Sequence, residues 1–204
     1  MTKRRFNMKN EEVIITDESI VIKNNTRSVV MAKGAKSITE IFSYVVSQNG
    51  GDVLDIGFGM GFSANKISEL VDTYTCIEIN PQIYEKAKEW AMDKSNVEII
   101  FGDWVDVIPT LNKKFDGIFF DTHNDPNSHL AEEYAKLISK EGTIFSHWNY
   151  FTIRDIKELN TYKCEVDLNS MPKMTSSFHN VHWTYFTNGE FKKGSNKINF
   201  HGGT

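Results

Sequence analysis

Cysteine is scarce in this 204-residue chain, with two copies, and proline nearly so, with four. Cys76 and Cys164 lie far apart and in no C-x-x-C or zinc-like spacing, so neither a disulfide framework nor a structural zinc site is expected, and a reducing, cytoplasmic setting is. Long apolar runs are missing. No stretch approaches the ~20 residues that a membrane-spanning helix needs. The basic start Met1-Thr2-Lys3-Arg4-Arg5 runs into Phe6-Asn7-Met8-Lys9-Asn10 instead of an apolar signal core, so export by that route is not expected either. Basic excess is missing as well: 23 Lys+Arg against 27 Asp+Glu leave a net charge of −4. No global field therefore draws the chain to nucleic acid or to an anionic membrane. With 13 Gly, 4 Pro and no internal repeat, collagen-like and disordered classes are excluded too.

What remains is an ordinary globular composition, 40% hydrophobic and 25% charged, over a length that suits one decorated domain at ~150 residues per domain. Residues 1–36 read as an N-terminal arm. Its short apolar runs Val13-Ile14-Ile15, Ile20-Val21-Ile22 and Val29-Val30-Met31 are separated by polar residues, as in short strands or extended chain, and such an arm is a candidate lid. Over residues 37–47 apolar side chains fall at Ile38, Ile41, Phe42, Val45 and Val46, the stripe of an amphipathic helix that Gly50-Gly51 stops.

Strand-like and helix-like segments then alternate four times. Val53-Leu54-Asp55-Ile56 precedes a helix over 62–70, Tyr74-Thr75-Cys76-Ile77-Glu78-Ile79 a helix over 83–92, Val97-Glu98-Ile99-Ile100-Phe101 a helix around 105–111, and Gly117-Ile118-Phe119-Phe120 a helix around 129–139. Thr143-Ile144-Phe145 closes the series, with one more helix near 152–159. This alternation predicts βαβ crossovers and a mostly parallel sheet. Cys164-Glu165-Val166-Asp167-Leu168 and Val181-His182-Trp183-Thr184-Tyr185-Phe186 read as two antiparallel edge strands. The expected fold is thus α/β and Rossmann-like, a mostly parallel seven-stranded sheet with an antiparallel edge over residues 37–188. Residues 189–204 are expected to form a loose tail.

The strongest local signal is Asp55-Ile56-Gly57-Phe58-Gly59-Met60-Gly61, an acid two positions before a G-x-G-x-G turn between a strand and a helix. Glycines there let the backbone approach a ligand, and the helix start offers free N–H groups. Glu78 ends the next strand, where a carboxylate accepts hydrogen bonds from ribose hydroxyls. A dinucleotide would want glycine where Phe62 stands, and Asp55 is awkward beside phosphate but suits a cationic α-amino group, directly or through the loop and water. Asp103, in Gly102-Asp103-Trp104, reads equally as an acceptor for an adenine amino group and as a helix N-cap. Asp121 leaves the fourth strand at the carboxyl edge of the sheet, beside the crevice where such sheets bind ligands.

These segments carry a resemblance. Asp55 to Gly61, Glu78-Ile79-Asn80, Gly102-Asp103-Trp104-Val105-Asp106-Val107-Ile108-Pro109-Thr110-Leu111 and Phe115-Asp116-Gly117-Ile118-Phe119-Phe120-Asp121-Thr122 resemble the class I S-adenosylmethionine-dependent methyltransferases. Their order is similar to that of the guanidinoacetate methyltransferases and their arginine-modifying relatives, over about residues 29–150. The resemblance implies a methyltransferase domain at 37–188 with S-adenosylmethionine as cofactor. It implies a cofactor site at Asp55, Gly57, Gly59, Met60, Glu78, Asn80, Gly102, Asp103 and Trp104, and a catalytic Asp121 facing an acceptor nitrogen, guanidine or amine. His123, His147 and Trp148 are further candidates on the substrate side. One departure stands out: the family's Trp-Glu pair, whose glutamate helps to grip a guanidinium, falls on Gly34-Ala35 in a gapless match from Val30-Met31, and Glu40 would substitute only from a displaced helix.

A sulfonium methyl is already activated, so alignment and exclusion of water suffice and no metal is expected. The alternatives are an O-methyltransferase using His123, His129 or His147 as base, or Mg²⁺ near Asp121-Thr122-His123-Asn124-Asp125; an NAD-type oxidoreductase; and a non-catalytic nucleoside-binding module. Asp125-Pro126-Asn127-Ser128 reads equally as a turn and N-cap. The expected partner is a small-molecule acceptor, not nucleic acid or membrane, and a homodimer is the assembly considered.

Overall fold

The computed structural model describes residues 8–147, 179–187 and 190–198. A short 3-10 turn, Met8–Asn10, leads into three antiparallel strands, β1 (Val13–Ile15), β2 (Ser19–Ile22) and β3 (Asn25–Ala32), in the order β1-β2-β3. The arm is therefore a small sheet of its own. It is also part of the core: Met8, Val13, Ile20 and Ile22 share one buried cluster with Phe58, Ala64, Ile67 and Ile83. Helix α1 (Lys36–Val46) follows, close to the bounds its apolar stripe predicts.

The main sheet is built from β4 (Asp52–Ile56), β5 (Thr73–Glu78), β6 (Val97–Phe101), β7 (Phe115–Phe120) and β8 (Ser139–His147), all parallel to their neighbours. Between them run α2 (Phe62–Ser68), α3 (Pro81–Ala91), α4 (Trp104–Val107) and α5 (Ala131–Ile138). Strand β9 (His179–Thr187) pairs antiparallel with β8, and β10 (Glu190–Ile198) pairs antiparallel with β9, giving the order β10-β9-β8-β7-β4-β5-β6. The chain moves from β4 outward to β6, then returns to the other side of β4 for β7. That reversal makes the crevice between β4 and β7 the switch point at which open α/β sheets bind ligands.

The strand Glu190–Ile198 stands where a loose tail was expected. Its partner register sets Thr187 opposite Glu190, and the sequence between them, Asn188-Gly189, is of the kind favoured in two-residue hairpins. The expected helix near 152–159, the edge strand at Cys164-Glu165-Val166-Asp167-Leu168 and the candidate Trp148 lie outside the described residues.

Side-chain alternation splits the core into two layers. Val53, Tyr74, Cys76 and Phe119 face α1, α2, α3 and the arm, whereas Leu54, Ile56, Ile77, Ile118 and Phe120 face Trp104, Ile108, Ala131, Ala135 and Ile138. Phe42 of α1 stacks on Phe119 at 5.7 Å on the first face. Among the described residues no helix is long and apolar enough to cross a membrane.

Candidate functional site

Register brings the predicted acids together. Asp55 pairs laterally with Cys76 on β5 and with Phe119 on β7. Two residues further along each strand come Glu78, Gly57 and Asp121, and the period of two keeps all of them on the face that Asp55 shares. Glu78 and Asp121 thus flank the glycine elbow on either side, with Asp55 beneath it. The chain ends are tied: Gly57 N–H donates to Ile77 O at 2.9 Å and Asp121 N–H to Ile56 O at 3.0 Å.

Backbone demands explain two of the glycines. Gly57 has φ +99°, and a Cβ there would lie 2.4 Å from the carbonyl oxygen of Asp121. Gly59 has φ +54°, and its missing Cβ leaves room for Met31, whose Sδ would be 2.8 Å away. Met31 Sδ also accepts from the Met60 N–H at 3.3 Å. Met31 enters the sequence argument only as an apolar residue and an alignment landmark; its contact with the elbow depends on how the arm docks.

Glu78 is 4% exposed. Its Oε2 accepts from the Phe58 N–H at 2.8 Å and its Oε1 from the Asn80 N–H at 2.7 Å. Burial pushes its carboxyl up, and the backbone donors pull it back. Asp55 is fully buried; Oδ2 accepts from Tyr74 OH at 2.8 Å and Oδ1 has no hydrogen-bond partner. Burial pushes it up to about 7, with Ser63 and Tyr74 opposing the rise and the charges of Asp121 and Glu78 adding to it. Tyr74 has no place in the motif, and only the pairing of β4 with β5 sets it beside Asp55. Asp121 is half-buried, its side chain is not hydrogen-bonded to any described residue, and burial pushes it up to about 7.

Three neighbouring carboxylates with no ion pair among the described residues leave a deficit of positive charge. A cationic ligand offsets that deficit, and a pyrophosphate would deepen it. The unpartnered Asp55 Oδ1 and the group of acids without an ion pair fit S-adenosylmethionine, whose sulfonium and ammonium are both cationic.

Other predicted residues serve packing first. Asp103 caps α4, Oδ1 accepting from the Val105 N–H at 3.1 Å, and burial raises its carboxyl. Gly102 donates its N–H to Glu78 O at 3.0 Å. Trp104 is 4% exposed on the opposite face, edge-on to Phe120 and Tyr134, with Nε1 donating to Asp125 Oδ2. Its indole therefore does not wall the elbow. Asn80 is 0% exposed, and its side chain caps α3 and holds the arm rather than pointing to a ligand.

His147 does not join Asp121. His147 is opposite Phe120 in the β7–β8 register, and its ring lies against Phe120 and Phe145, on the sheet face away from Asp121. Burial lowers its affinity for a proton, with Asp125 opposing. His123 sits in the loop after β7 with Nε2 2.9 Å from Asn124 Nδ2, and burial lowers it as well. Asp125, the acid a Mg²⁺ site would use, has both oxygens engaged: Oδ1 by the Asn127 N–H at 2.8 Å and Oδ2 by Trp104. Among the described residues no group of three or more His, Cys, Asp or Glu is arranged to hold a metal.

Known proteins resemble this chain in sequence and in fold. It is 32% identical over 106 residues to protein arginine N-methyltransferase 2 of Yarrowia lipolytica, covering 48% of this chain but 22% of that protein, so it spans about a fifth of the relative's length. In structure it is similar to an O-methyltransferase from Bacillus cereus in complex with SAH, with a TM-score of 0.51, 15% identity and coverage of 80% of this chain and 79% of that one. Cofactor-bound Rv0187 from MTB gives a TM-score of 0.50 at 17% identity, over 80% of this chain and 78% of that one. At such identities these two speak for the fold alone. The family model for guanidinoacetate N-methyltransferase matches residues 16–155, a span that takes in β4 to β8, the glycine elbow, Glu78 and Asp121, and the chain belongs to that family.

Proposed function

We propose that this protein transfers a methyl group from S-adenosylmethionine to a nitrogen of a small-molecule acceptor, an amine or a guanidine, with Asp121 on the acceptor side. The S-adenosylmethionine-dependent methyltransferase class follows from family membership. The observation that carries the site assignment is the row Glu78, Gly57, Asp121 on one sheet face above buried Asp55, with no cation paired to the three acids among the described residues.

Gly57, Gly59 and Met60 would bring the elbow backbone against the cofactor, Glu78 would take the ribose hydroxyls, and Asp55 would act from beneath through the loop. When bound, the cofactor supplies a methyl group on an electron-poor sulfur that leaves as a neutral thioether. Asp121 orients the acceptor nitrogen and takes up the proton that nitrogen sheds, for which a carboxyl held near 7 is well matched. A nitrogen acceptor is supported by the carboxylate at that point and by His147 facing the other way. Ala35, where the family carries its second acid, leaves a guanidinium with one fewer charged partner.

Calorimetry with S-adenosylmethionine and NAD side by side tests the cofactor, with binding of the first alone expected. Labelled methyl transfer against parallel panels of amines, guanidines and catechols tests the acceptor. Turnover confined to the catechols would sink the nitrogen assignment, and binding without turnover on any panel would make the protein a nucleoside-binding module.

A further inference from the structure

Asn80 spends the whole hydrogen-bonding capacity of its buried side chain. Oδ1 accepts from the N–H groups of Gln82 at 3.0 Å and Ile83 at 3.2 Å, while Nδ2 donates to the carbonyls of Met8 at 2.9 Å and Glu11 at 2.8 Å in the arm. Its backbone N–H is the donor to Glu78 Oε1. Two residues on, Gln82 brackets the arm again, Oε1 accepting from the Val13 N–H at 2.8 Å and Nε2 donating to Val13 O at 3.3 Å. One residue therefore joins three things: the start of α3, the backbone of the arm and the orientation of the Glu78 carboxylate.

We propose that Asn80 is a positioning residue that couples docking of the N-terminal arm to cofactor binding at Glu78, so that each favours the other. This rests on the assignment of Glu78 to the cofactor. Undocking the arm strips Nδ2 of two carbonyl acceptors, and a buried amide recovers them only by turning or by drawing in water. Either response shifts the residue whose N–H holds Glu78 Oε1, so a ligand that needs that carboxylate in place favours the docked arm. By linkage the effect is reciprocal: the factor by which docking tightens the ligand is the factor by which the ligand tightens the arm.

The test is amide hydrogen exchange on the full chain with and without S-adenosylhomocysteine, alongside calorimetric affinity for the same compound. In the wild type the compound is expected to slow exchange at Val13 and at Lys23, whose N–H donates to Glu12 O at 2.8 Å. Asn80→Ser keeps a capping oxygen but loses both donors to the arm. It should weaken binding about tenfold and remove the response of the arm to the compound. Gln82→Ala should speed exchange at Val13 yet keep the response, because the Asn80 side-chain bonds to the Met8 and Glu11 carbonyls survive together with its N–H bond to Glu78. Wild-type protein that binds the compound with no change in arm exchange overturns the coupling, as does an Asn80→Ser variant that binds as tightly as wild type. Should Asn80→Ser fail to fold, the wild-type response and Gln82→Ala decide. Wild-type protein that binds no S-adenosylhomocysteine refutes the cofactor assignment itself, an outcome the calorimetry separates from loss of coupling.

Discussion

The backbone N–H of Phe58 donates to Glu78 Oε2 at 2.8 Å, which ties the glycine elbow after β4 to the carboxylate that ends β5. With the bond from Gly57 N–H to Ile77 O, this contact sets the two segments proposed to meet the cofactor relative to each other.

Glu78→Gln keeps the shape but presents an NH₂ group to one of two N–H donors. Cofactor affinity is expected to fall at least about tenfold, and the fold to lose ~1–3 kcal/mol for the donor left unmade. Calorimetry and thermal melting measure the two effects separately. Unchanged affinity in a folded variant would remove Glu78 from the site.

Asp121 is expected to act in its ionised form, so kcat/KM should climb as pH rises through about 7 and level off above it. Asp121→Asn should lower kcat by ~10²-fold or more and abolish that limb, with S-adenosylhomocysteine affinity little changed. A retained pH limb in the variant would assign the titration to another group.

Burial raises Asp55 to about 7 in the folded protein, above the ~3.9 of an unfolded carboxyl. Between those values the folded state holds the extra proton, so stability falls as pH rises from about 4 to about 7 and then levels. Asp55→Asn should flatten that slope in thermal melts run across the range. A slope identical to wild type would show that Asp55 is ionised throughout.

Gly57→Ala forces a Cβ to within 2.4 Å of the Asp121 carbonyl at a φ of +99°. A loss of ~3 kcal/mol or more is expected, with the elbow pushed away from β7 and cofactor binding lost. Melting and calorimetry read it, and a variant that melts and binds like wild type would mean the elbow relaxes without cost.

At the far end of the sheet Lys140 Nζ donates to Asp116 Oδ2 at 2.7 Å and to Asp52 Oδ2 at 3.0 Å. Burial pushes Asp52 up, but hydrogen bonds from Thr73, Lys113 and Lys140 outweigh it and hold the carboxyl well below its usual range. Lys140→Met should cost ~1 kcal/mol, discounted for the partial exposure of the pair, and leave cofactor affinity unchanged. Its deficit should shrink below an unfolded carboxyl pKa of ~3.9, as the pairing is lost in acid.

Much of the fold is legible in the residue pattern. Strand β6 has the bounds its apolar run predicts, and α1 differs from its predicted range by one residue at each end. Period two and period 3.6 are local properties, so short windows reveal them. The acids Asp55, Glu78 and Asp121 are legible for the same reason, each lying just inside or just past a recognisable strand. The β10 strand is not read from composition, because its lysines and glycine look like loop, although Asn188-Gly189 carries the hairpin signal.

The sequence by itself determined an α/β chain, an acid-bearing glycine elbow and the carboxylates that end its strands, because those depend on neighbours within a few residues. Only the tertiary structure decided that Trp104 and His147 face away from the elbow, that Tyr74 holds Asp55, and that Asn80 and Met31 bind the arm to the site. Strand register and the docking of one sheet on another join residues about 20 to 70 positions apart. Such pairings arise from the burial of whole faces, which no local pattern specifies.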